Sequence, residues 1–224
     1  MSDKFDLFND VSLRAREFIL ATYNNLPNTI FVTALLLGAI QGNLSMIWIA
    51  IGMIVNALVV LTQQEILAII FPQWDQIHQP SSRVCSLIQD TLNSSPTTVV
   101  APSYWFASTT YFVVFILYNA IQVAFRPSAP GASQKKVDVR VAFTMSVMIL
   151  SMFFLCIIML RGLTGCETWV GSILGISTGT TIAIMYWHVL DICHSGIPPD
   201  ILNIVSGLAP SKTGDPETPV ICTA

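Results

Sequence analysis

The sequence predicts an all-α fold: a polytopic membrane helix bundle of about five transmembrane helices, preceded by an amphipathic helix. Three observations predict it. Of 224 residues, 53% are hydrophobic and 10% charged, whereas a water-soluble domain carries about 25% charged residues. The apolar residues gather into runs near the roughly 20 that a helix needs to cross a bilayer. Between these runs lie polar stretches rich in Pro, Gly and Asn, the residues that end helices.

The elements follow in order. Residues 4–23 place Phe5, Phe8, Val11, Ala15, Phe18 and Ile19 at roughly helical spacing, with Asp6, Asp10, Arg14 and Arg16 between them. This pattern predicts a helix lying on the membrane surface or on a partner, within an N-terminal segment 1–25. Asn24-Asn25-Leu26-Pro27 breaks it. The first membrane helix is expected over residues 29–40. It is short for a span, so part of 20–28 is expected to extend it. Gln41-Gly42-Asn43 reads as a tight turn into a second helix over 45–71.

Residues 72–103 form a long polar loop with Pro72, Pro80, Pro96 and Pro102. A third helix is expected over 104–125. A Pro/Gly/Ser loop over 126–140 then carries Arg126, Lys135, Lys136 and Arg140. The fourth and fifth helices are expected over 141–160 and 168–190. In the fifth, Gly171, Gly175 and Gly179 recur every fourth residue, a smooth face for close helix packing. The bundle domain thus covers 26–190, and a polar tail follows over 191–224. Five spans put the N-terminus, the 72–103 loop and residues 161–167 on one side; positive-inside counting favours the cytosol for the opposite, 126–140 side.

Several function classes are disfavoured. A net charge of -3 without a basic tract argues against nucleic acid as a partner. Cys85, Cys156, Cys166, Cys193 and Cys222 show no CxxC or Cys/His ligand spacing, so no metal or other cofactor is expected. Cys156, inside an apolar run, reads as core. Cys85 and Cys166 fall on one side and form a candidate disulfide if that side is oxidising. No inverted repeat points to a transporter.

The chemistry concentrates in residues 161–175, whose only charges are Arg161 and Glu167. Ionised groups at this depth cost roughly 2.5–3.5 kcal/mol each on insertion scales, so a mutual pair is expected, with Glu65 as a further acceptor. Three polar stretches meet on this face: Gln64-x6-Phe71-Pro72, Pro102-Ser103-Tyr104-Trp105, and Leu160-Arg161-x5-Glu167-Thr168-Trp169, with Gly175 eight residues after Glu167. Their order and spacing resemble the type-2 phosphatidic acid phosphatase superfamily, and within it the dolichyl-diphosphatase-like branch. That family carries Lys-x6-Arg-Pro, Pro-Ser-x-His and Ser-Arg-x5-His on the corresponding helices.

The resemblance implies a phosphate pocket in which most of the machinery is replaced. Glu167 stands at the nucleophilic histidine, Trp105 at the acid histidine, Gln64 at the lysine and Phe71 at the first arginine; Arg161 and Ser103 match. A carboxylate there repels phosphate, and indole offers only a neutral donor. Phosphoryl transfer requires charge neutralisation that this set does not supply. The expectation is therefore a non-enzymatic scaffold subunit of a membrane assembly, in a virion inner membrane or an endoplasmic-reticulum-type organellar membrane, with lipids and other subunits as partners. The alternatives are a non-hydrolytic phospholipid-binding module, or an active phosphatidate or polyprenyl-diphosphate phosphatase using Glu65, Asp75, His78 or Glu167. His188 and His194 flank the far end of the fifth helix, where His188, beside Tyr186 and Trp187, reads as part of an interfacial belt.

Overall fold

A computed structural model describes Arg14, Phe18 and residues 21–74, 101–125, 134–163 and 167–193. Expectations for Asp75, His78, Cys85, Cys166, His194 and the 191–224 tail beyond Cys193 fall outside these residues, as does most of the N-terminal amphipathic segment. The described chain is all-α: α1 (Leu26–Gln41), α2 (Leu44–Ile70), α3 (Tyr104–Phe125), α4 (Gln134–Leu163) and α5 (Trp169–Cys193).

Four of these are long and apolar enough to cross a membrane: α2, α3, residues Val141–Met159 of α4, and α5. The fifth expected span, α1, has 16 residues, about 24 Å of helix at 1.5 Å per residue. Residues 21–24 are also helical. Asn25 N donates to Ala21 O at 3.0 Å and Thr29 N to Asn25 O at 2.9 Å, so Asn25 joins this turn of helix to α1. Pro27 sits in the first turn of α1 and has no N–H to offer Tyr23 O, four residues back.

The turn between α1 and α2 follows from two residues. Gly42 takes φ 63°, the left-handed region that glycine enters without strain. Asn43 then caps α2, its side chain accepting from Ser45 N at 3.0 Å and Met46 N at 3.4 Å.

Two boundaries differ from the sequence expectation. Residues 134–140 are helical, the first two turns of α4 and not part of a loop. At its other end α4 continues to Leu163, so Arg161 occupies a last turn and not a hinge. One glycine, Gly162, is a mild penalty that does not stop a helix.

The core is built around α3, which carries Tyr111, Phe106 and Phe115 fully buried. It runs parallel to α5 in constant register. Ser103 N donates to Gly171 O at 2.9 Å at one end, and Trp187 Nε1 donates to Asn119 Oδ1 at 3.0 Å at the other. Trp187 is therefore a core residue, whereas His188 is exposed and hydrogen-bonded to Tyr118 at 3.0 Å. Along this seam a Cβ on Gly179 would lie 2.3 Å from Ala107 O. The four-residue glycine spacing is thus the condition for backbone contact. Helix α4 packs on α3, with Ile158 against Trp105, Phe106 and Val113; it buries Thr144, Ser151 and Ile158, one residue every seven, and exposes Ile149, Met152 and Phe153. Cys156 is exposed on α4 instead of lying in the core.

Gly179→Ala pushes a methyl group into backbone and is expected to cost about 1–3 kcal/mol, the usual range for overpacking. Thermal unfolding in mild detergent measures it. An unchanged melting temperature would mean that the two backbones are not in contact.

Candidate functional site: an internally neutralised polar cluster

Local structure brings the site residues to one end of the bundle. Ser103 precedes α3 and caps it, its Oγ accepting from Phe106 N at 3.3 Å. Thr168 does the same for α5, accepting from Gly171 N at 3.0 Å. The Ser103–Gly171 backbone bond ties the two caps together. Glu167, one residue before the Thr168 cap, is thereby held over the start of α3, and α4 delivers Arg161 from its last turn.

The expected ion pair forms. Arg161 Nε and Nη2 donate to Glu167 Oε1 at 3.3 and 3.2 Å, with both side chains about nine-tenths buried. Arg161 Nη1 donates to Asn24 Oδ1. The guanidinium also lies over the Trp105 ring, 4.5 Å from its centroid, a geometry worth about 0.5–2 kcal/mol. Each of its three nitrogens is thus aimed at a protein acceptor, and one face is covered by indole. Glu65, the expected further acceptor, is exposed on α2; Asn24 fills that role.

Tyr23 closes the cluster from the N-terminal side. Its hydroxyl donates to Ile157 O at 3.0 Å, its carbonyl accepts from Trp105 Nε1 at 3.1 Å, and its ring packs on Trp105 at 5.1 Å. Sequence reasoning missed Tyr23 and Asn24 as site members. The only signal was that both lie immediately before a first span too short to cross a membrane alone.

Of the other expected pocket residues, Gln64 is nearby but engaged: its Nε2 donates to Pro102 O at 2.9 Å. Phe71 departs from expectation. It ends α2, is 45% exposed and packs on Trp74, so it faces outward and does not close the pocket. The physical reason is its place at the helix C-cap, where the chain leaves the bundle. No family model, curated protein or solved structure matches the chain.

Glu167 lies between the spans. Burial pushes its carboxyl above the ordinary glutamate range; the Arg161 charge and hydrogen bonds from Ser103 and Arg161 pull it back without cancelling the rise. A raised folded-state value means that the folded protein holds a proton at pH values where the unfolded chain has released it. Stability is then highest in acid and falls as pH rises from the ordinary glutamate range through the raised value. Unfolding measured in detergent across that window is expected to show this slope, and Glu167→Gln to abolish it.

A double-mutant cycle tests the pair itself. Arg161→Ala and Glu167→Ala together are expected to cost less than the sum of the single changes by about 1–3 kcal/mol, the coupling typical of groups in direct contact. Additivity would show that the two charges do not interact.

Proposed function

We propose that this chain is a catalytically inactive, lipid-phosphatase-like membrane protein that serves as a structural or scaffold subunit of a membrane assembly. One observation carries the reading: the polar side chains at the positions of the family's machinery are engaged by the protein itself. Arg161 serves Glu167 and Asn24, Trp105 serves Tyr23, and Gln64 serves Pro102. A phosphate entering this cluster would meet a carboxylate where the family has its nucleophile, and an arginine already neutralised.

What the cluster does instead is join segments. It ties the residues before α1, the start of α3, the end of α4 and the approach to α5 at one end of the bundle, which suits a rigid component better than a turnover site. Such a scaffold would sit in an internal membrane, of an organelle or a virion, with lipids and neighbouring subunits against its broad apolar faces.

Two measurements test this. Phosphate release from phosphatidate and from a polyprenyl diphosphate is expected to stay at the detergent blank, and Glu167→His alone is expected to leave it there, because Gln64, Phe71 and Trp105 still leave the phosphate uncompensated. Robust release that is lost in Arg161→Ala would overturn the reading. Purification from native membranes in mild detergent is expected to bring other subunits in fixed ratio. Recovery as a lone chain whose retention by phosphatidate vesicles requires Arg161 would favour a headgroup-binding module instead.

A further inference from the structure

A second polar group lies deeper in the bundle, away from the Arg161 cluster. Asn56 of α2 is 0% exposed, and neither its Oδ1 nor its Nδ2 has a hydrogen-bond partner among the described residues. The same holds for Ser108 Oγ and Tyr111 Oη of α3, both on fully buried side chains. An amide brings two donors and two acceptor lone pairs; leaving all of them unmade in an apolar interior is strongly unfavourable.

The helix register places these groups together. At one point α2 meets α3 where the Tyr111 hydroxyl sits on Gly52, at the position a Cβ would take. At another, Gln64 Nε2 donates to Pro102 O. The two helices are therefore antiparallel. One turn along α2 from Gly52 reaches Asn56, and one turn back along α3 from Tyr111 reaches Ser108. Helix α5 lies on the same junction: Tyr186 also abuts Gly52, and Thr178 Oγ1 donates to Gln63 Oε1 at 2.9 Å. Its residue between those contacts, at the level of Asn56, is Ala183, which is buried and small. Thr110 Oγ1 also has no partner among the described residues, but two residues on from Ser108 is about 200° round the helix, so it is not part of this group.

We infer that Asn56, Ser108 and Tyr111 form a buried binding site for water at the α2–α3–α5 junction, within the membrane-spanning part of the bundle. The donor set selects the ligand. It is uncharged, offers donors and acceptors in similar number, and lacks any carboxylate or cation in the trio, so it fits a neutral molecule that both gives and takes hydrogen bonds. Bound water typically makes about three such bonds to buried polar groups. Here it links two helices whose polar groups do not reach protein partners.

Radiolytic hydroxyl-radical footprinting of the full chain in nanodiscs tests the site, because a buried residue beside bound water is oxidised while a dry one is protected. Tyr111 is the reporter, and Phe115, equally buried and stacked on it at 5.9 Å, is the dry control. Tyr111 is expected to be labelled several-fold more than Phe115, and Asn56→Leu is expected to bring it down to the Phe115 level. Ser108→Ala provides a second variant, expected to lower labelling in the same direction, should Asn56→Leu fail to fold. Tyr111 labelling no greater than that of Phe115 would overturn the inference. So would labelling that persists unchanged in whichever of these variants folds.

Discussion

Ala107 and Gly179 bring the backbones of α3 and α5 to a separation that leaves no room for a side chain between them. Lipid offers helices little hydrophobic reason to associate, so close packing and polar bonds must do it. Here the close contact repeats at Gly175 against Ser103 O, and polar bonds lock the register at both ends. With that seam fixed, the start of α3 and the approach to α5 have one relative position. Glu167 and Ser103 meet because the seam leaves them nowhere else to go.

The ion pair at that end illustrates why a buried pair persists without being a large source of stability. Removing two ions from water is costly, and their attraction returns that cost only where further bonds satisfy them. The upward push on Glu167 is the signature of incomplete return. Yet Arg161 has gathered Asn24 and the Trp105 face as well, so losing one partner would strand a charge among groups arranged to receive it. The pair fixes geometry more than it adds stability.

The sequence made the bundle and the pair legible, because long apolar runs and two isolated charges are signals that composition alone exposes. Boundaries were less legible. The start of α4 was hidden because Lys135, Lys136 and Arg140 look like a loop, although nothing in 134–140 breaks a helix. Phe71 has a pocket position only through the resemblance, whereas its place at a helix end turns it out. Tyr23 and Asn24 were hidden for a different reason: their partners, Ile157 and Arg161, are more than 130 residues away, and no local pattern announces a contact at that distance. Buried Asn56 was equally silent, a single amide in the apolar run 46–61 of α2.

The parallel arrangement of α3 and α5 has a consequence for biogenesis. A chain made from its N-terminus completes α3 well before α5 emerges. During that interval Ser108, Thr109, Thr110 and Asn119, all buried in the finished bundle, belong to a helix whose principal mate has not been synthesised. Helix α2 can settle against one side at once, as an antiparallel hairpin neighbour. The face that later receives Gly175 and Gly179 waits for α5. The contact on which the architecture rests is therefore made only after α2, α3 and α4 have all been synthesised.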